Sequence, residues 1–176
     1  MQVQDYLKQG LAAGAVLVCL EYLQKVKYQN VSPYDADASS MLWAYAALLL
    51  LAALCYWAVV EARKDRKGII TFGQAFFVSI YVAFIASLLV GGFYFAYGKY
   101  IDPNEAERMA GYLRDELQGK RVDPATVEQR LTQLRSGYSA PMQFMLGMKY
   151  LIYGLFISLV IAAVSRRKSV NPNTQP

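Results

Sequence analysis

The 176-residue chain is 56% hydrophobic and 18% charged, carries a formal net charge of +5, and contains no histidine. The missing imidazole removes the commonest general base and the commonest metal ligand together. The positive balance does not describe a nucleic-acid binder: Lys and Arg gather at the ends of uncharged blocks and make no basic face interleaved with stacking aromatics, so no nucleic-acid partner is expected.

The first predicted span covers residues 6–24. It is the weakest, because Lys8 stands at one end and Glu21 near the other. It carries Gly10 and Gly14 in a GxxxG spacing that lets a neighbouring helix approach. An export signal is not expected, since Asp5 interrupts the basic region and no small-x-small site follows Leu11–Leu20. The helix is read as retained, inserting because it packs on stronger neighbours. A polar connection with a Ser-Pro turn leads to a second span over residues 41–60, with Trp43 and Trp57 near its two ends as an interfacial belt. Cys19 and Cys55 fall in these two spans at depths differing by roughly 10 Å, so no disulfide is expected.

The third span, residues 72–97, holds 26 residues without a charge. About 20 apolar residues at 1.5 Å rise suffice to cross roughly 30 Å of hydrocarbon. Ala75, Ser79, Ala83, Ser87 and Gly91 recur every fourth residue and make one small-residue stripe for helix packing. The last span, residues 142–164, opens after Pro141 and has its own ladder of Gly154, Ser158 and Ala162. It closes in Arg166, Arg167 and Lys168, and residues 169–176 read as a disordered tail.

Between the third and fourth spans, residues 99–140 form a polar insertion whose seven basic and seven acidic residues cancel. Asp102-Pro103 with Glu105 reads as a helix start with proline at the first helical position, and Gly119 as its stop. Asp123-Pro124 and Gly137 repeat the pattern. Ala106, Met109, Ala110, Leu113 and Leu117 share one helical face, and Val127, Leu131 and Leu134 the other. Such a hairpin buries too little to stand alone and must lean on itself, the membrane or a partner.

Four spans place the N-terminus, the Arg63–Lys67 turn and the C-terminus on one side. That side carries Lys8, Arg63, Lys64, Arg66, Lys67, Arg166, Arg167 and Lys168, against Lys25 and Lys27 in the opposite short loop. The positive-inside rule therefore predicts cytoplasmic termini and an extracytoplasmic hairpin. The basic turn could also hold anionic headgroups.

The order Phe72-Gly73-Gln74-Ala75-Phe76, then Ile101-Asp102-Pro103, a polar helical hairpin and a last small-residue span closing in Arg-Arg-Lys resembles the four-helix membrane family catalogued as domain of unknown function 4199, found mainly in Bacteroidetes. The resemblance covers nearly the whole chain and is clearest from Thr71 to Lys168. It implies an all-α integral inner-membrane protein of four helices and lends no catalytic residues.

The constellation weighed most is Glu21 with Lys149, two intramembrane charges in one leaflet that could meet. As a functional group they would relay a proton or cation or hold an anion; as a structural group they are a pair, or two snorkelling side chains, and this reading is preferred. Gln74 and Gln143 read as interhelical glue. Tyr81, Tyr94, Tyr97, Tyr150 and Tyr153 could line a pocket but read as interfacial anchors. Asp115 and Glu116 are adjacent and diverge by about 100° on a helix, and a Ser79/Lys149 dyad is set apart by depth. With no phosphate loop, nucleophile elbow or metal spacing, no enzyme activity, metal or cofactor is expected. The expected partners are the lipid bilayer, a protein meeting the 102–138 hairpin, and further copies of the chain. The preferred function is a non-enzymatic accessory or scaffold subunit; the alternative is a small transporter or channel with a polar path near Glu21, Gln143 and Lys149.

Overall fold

A computed structural model describes residues 3–28, 38–120 and 122–165, and its regular elements are all helices. In chain order these are α1 (Val3–Tyr28), α2 (Ala38–Asp65), α3 (Phe72–Ala96) running into a π-helical turn (Tyr97–Ile101), α4 (Glu105–Gly119), α5 (Pro124–Gly137), α6 (Ala140–Gly147) and α7 (Lys149–Ser165). Among the described residues, three helical stretches are long and apolar enough to cross a membrane: Met41–Asp65, Phe72–Ile101 and Pro141–Ser165. Arg166, Arg167, Lys168 and the 169–176 tail lie outside the described residues.

The α2–α3 connection shows how local chemistry sets the fold. The chain leaves α2 through a Schellman motif: Gly68 N donates to Arg63 O at 3.0 Å and Lys67 N to Lys64 O at 3.2 Å. Lys67 holds the left-handed position at φ 55°, where glycine is the usual occupant. Arg63 Nε also donates to Gly68 O at 3.0 Å, fastening the turn. Then Thr71 caps α3, with Gln74 N donating to Thr71 Oγ1 at 3.4 Å and Thr71 N to Gln74 Oε1 at 3.2 Å, a reciprocal capping box. Gln74, expected as interhelical glue, therefore caps its own helix.

Helix α3 is the centre of the bundle. Its small stripe of Ala75, Ser79, Ala83, Ser87 and Gly91 is buried throughout. Without large side chains in the way, neighbours come to van der Waals distance of the backbone. A Cβ added at Gly10 would stand 2.7 Å from Ile85 Cβ, and one at Gly14 would stand 2.5 Å from Leu89 Cδ1. Since Gly10 meets Ile85 and Gly14 meets Leu89, α1 runs parallel to α3. Helices α6 and α7 run the other way: a Cβ at Gly154 would stand 2.4 Å from Ala83 Cβ, and one at Gly147 only 2.3 Å from Gly91 Cα. Helix α2 lies on the remaining side, where Cys55 Sγ donates to Ser79 O at 3.5 Å.

Two details depart from the simplest reading. The last span stands over Pro141–Ser165 but is not unbroken: it turns at Met148, whose N–H reaches back to Phe144 O and Met145 O at 3.2 and 3.1 Å before α7 begins at Lys149. The break lies beside the Gly91–Gly147 contact, where the two backbones nearly touch. Nor does Asp102 cap the first hairpin helix. Asn104 holds that position, and Asp102 instead takes a bidentate bond from Arg108, at 2.6 and 3.3 Å. Asp102 N is spent in closing the π-helical turn on Tyr97 O at 2.9 Å, so the chain is still winding down from α3 there.

Helices α4 and α5 form an antiparallel pair. Ala110, Leu113, Leu117, Val127 and Leu131 make a small core of their own, with Val122 and Leu134 at its edge. Around it, Arg135 makes a two-pronged contact with Glu107, at 2.9 and 3.0 Å. Asp123 caps α5, accepting from Ala125 N and Thr126 N at 3.1 and 3.3 Å, with Pro124 inside the first turn.

Candidate functional site

The densest polar cluster lies where α1, α3 and α7 meet at the hairpin end of the bundle. Glu21 on α1 is only 4% exposed among apolar neighbours. A buried carboxylate needs partners, and both of its oxygens have them. Tyr94 on α3 donates to Oε2 at 2.5 Å, Tyr150 on α7 donates to Oε1, and Lys149 Nζ stands 3.2 Å from Oε1. Lys149 also lies over the rings of Tyr94 and Tyr150, at 5.6 and 5.1 Å from their centroids. Its side chain is 40% exposed, whereas that of Glu21 is sealed in. Because the break at Met148 starts α7 at Lys149, two successive residues supply two of the four groups.

A second layer ties the hairpin to this cluster. Lys25 is four residues after Glu21 and therefore on the same helical face. Its Nζ is 2.6 Å from Glu105 Oε1, at the first residue of α4, and lies 5.2 and 4.6 Å above the rings of Tyr94 and Tyr97. Glu21, Glu105, Lys25 and Lys149 thus balance two negative against two positive charges. Tyr138, following α5, faces the same region, and its phenol is pushed up to about 12 by burial and then by the nearby Glu105 carboxylate. Beside these groups opens a cleft of about 840 Å³, with Lys25, Glu105 and Lys149 at its polar edge and Met142, Met145, Leu146 and Ile152 along its apolar wall. Gln143 is 3% exposed and packs at Gly98, where an added Cβ would stand 3.5 Å from its Cγ.

The sequence placed Glu21 and Lys149 at matching depth, and they are in contact here. It did not identify Tyr94 and Tyr150 as their partners, because a tyrosine near a predicted boundary reads as an interfacial anchor. Lys25 did leave a signal, its four-residue spacing from Glu21; Glu105 left none. The other predicted positions serve packing or the turn. Ser158 and Ala162 are buried with Gly154 on α7. Ser79 is buried and its hydroxyl has no hydrogen-bond partner, and nothing brings it to Lys149. In the basic turn, Arg63 is bonded to Gly68 O, Lys64 pairs with Glu61 at 2.7 Å, and Lys67 is exposed. Both cysteines are free, Cys19 exposed and Cys55 buried.

The cluster's chemistry is that of a well-satisfied acceptor. Three donors converge on one carboxylate and occupy three of its roughly four lone-pair sites. No curated protein and no solved structure matches the chain. A family model described as Protein of unknown function (DUF4199) matches residues 8–167. That span takes in most of α1, all of α2 to α7 and every residue of the cluster, and the chain belongs to this family.

Proposed function

We propose that the protein is a non-enzymatic accessory or scaffold subunit of a bacterial inner membrane, with four spans, cytoplasmic termini, and an extracytoplasmic hairpin that meets a partner. The parallel packing of α1 on α3 supports the fourth span. The contacts run from Gly10 against Ile85 to Lys25 over Tyr97, so α1 follows α3 along the half nearer the hairpin. The basic turn after α2 supports the orientation.

The observation that carries the scaffold reading is the depth of the polar cluster. With Phe72 taken as the inner boundary, Tyr94 lies 22 residues further on, about 33 Å along the helix, and Glu21 and Lys149 come at the outer side of a hydrocarbon layer roughly 30 Å thick. Transport sites lie near the midplane. At the boundary, a carboxylate bonded by donors from two further helices and handing on to Lys25 and Glu105 is a clamp that holds the hairpin in place. The outward side of α5, with Gln129, Arg130 and Gln133 exposed, is left for a partner.

The test is affinity purification from native membranes of the wild type and of an Arg130→Glu, Gln133→Glu variant. Loss of a stoichiometric partner with unchanged yield and melting temperature is expected. A partner that persists, or no partner in either sample, overturns the reading. The cleft of about 840 Å³ that reaches Lys149 favours the second reading, a small transporter or channel. Its signature is a proton- or ion-dependent flux in proteoliposomes that Lys149→Met abolishes while folded protein is retained.

A further inference from the structure

At the opposite end of the bundle a second groove, of about 720 Å³, runs along α3. Its polar end is formed by Tyr6, Arg66, Thr71 and Gln74; Phe77 and Phe84 continue it along α3 to Leu151. From Thr71 to Phe84 is 13 residues, about 20 Å, the length of an extended acyl chain of some sixteen carbons. Phe77 is 73% exposed, so the wall is open to the surroundings of the bundle.

The polar end holds unspent donors. Arg66 Nη1 and the Tyr6 hydroxyl are both buried with no hydrogen-bond partner. The neighbours are otherwise engaged: Thr71 and Gln74 cap one another, Lys64 pairs with Glu61, and Arg63 bonds Gly68 O. A buried guanidinium N–H without an acceptor is costly, and a planar fork of this kind fits phosphate oxygens. A cationic fork and a phenol at the mouth, with an aromatic and aliphatic channel behind, match one occupant in both halves.

We propose that this groove binds one anionic phospholipid of the leaflet on the basic-turn side, its phosphate on Arg66 and Tyr6 and an acyl chain along Phe77 and Phe84. The site goes beyond a general attraction of the basic turn for headgroups, because it singles out Arg66 among four basic residues. It needs the helices to lie in a bilayer and does not need the hairpin to have a partner, so the two proposals fail separately.

The test is native mass spectrometry of the full-length protein in neutral detergent, titrated with phosphatidylglycerol, phosphatidylcholine or inorganic phosphate. The wild type is expected to retain one phosphatidylglycerol in preference to phosphatidylcholine. Arg66→Gln should weaken that binding about tenfold, and Lys64→Gln, which removes an equal charge from the same turn, should leave it unchanged. Tyr6→Phe supplies a milder lesion should Arg66→Gln melt early, and should weaken binding in the same direction. Equal losses in the Arg66 and Lys64 variants would show diffuse attraction and overturn the site. So would equal retention of phosphatidylcholine, or inorganic phosphate competing at the affinity of the lipid.

Discussion

Glu21 and Lys149 are unequal members of one cluster. The carboxylate is sealed and serves three donors, whereas the lysine side chain is 40% exposed and can turn to water or headgroups. Replacing Glu21 with Ala strands two phenols and an amine and should cost about 3–5 kcal/mol. Lys149→Met removes one donor of three and should cost about 1–2 kcal/mol. Thermal unfolding in detergent checks the order; a larger loss for Lys149→Met would show that the lysine, and not the carboxylate, organises the site. Glycines give a second contrast at this scale. A Cβ at Gly147 would meet Gly91 Cα at 2.3 Å, while one at Gly111 on α4 meets nothing within 4 Å. Gly147→Ala should therefore lower stability by about 1–3 kcal/mol. Gly111→Ala should raise it by about 0.4–1 kcal/mol. Circular-dichroism melts of the two variants side by side would show opposite signs. The four-residue stripe on α3 was readable because small residues at that spacing have few uses in a span. Gly147 was not, because it stands outside any ladder and its role depends on where Gly91 falls on another helix.

The hairpin is the element whose stability depends on charge. The hydrogen bond from Arg135 holds the Glu107 carboxyl below its usual value of 4.5. A depressed carboxylate contributes stability that is fully present above 4.5 and is lost as pH falls through the lowered value. Amide-exchange protection of α4 and α5 should accordingly stay level down to about that pH and fall below it, and Arg135→Gln should remove most of the fall. The effect is small, because the pair is exposed and screened by salt. Protection that drops equally in the variant would assign the acid response elsewhere. The facing stripes of α4 and α5 were legible from spacing alone. The start of α4 was misread, since Asp-Pro followed by Glu105 imitates a cap. What decides the matter is the π-helical turn, which uses Asp102 N and leaves its carboxylate to Arg108. The break at Met148 left only a faint mark, a glycine and a lysine on either side of it, at Gly147 and Lys149, in a stretch from Met142 to Val164 that no proline interrupts.

At the scale of the molecule, α1 decides how many times the chain crosses. Its charges keep it out of the set of helices apolar enough to cross by composition, yet it packs in parallel along α3 and buries Glu21 against that helix and α7. A helix that hides its carboxylate inside a bundle presents little charge to lipid, so mean composition understates its fitness to span. Single-cysteine variants at Gln4, Lys64 and Arg130, in a chain with Cys19 and Cys55 replaced by alanine, test this directly with a membrane-impermeant maleimide on spheroplasts. The account predicts that the Arg130 variant labels at once, and that the Gln4 and Lys64 variants label only after permeabilisation. Immediate labelling at Gln4 together with Arg130 would contradict it, placing α1 outside the membrane and reducing the chain to three spans.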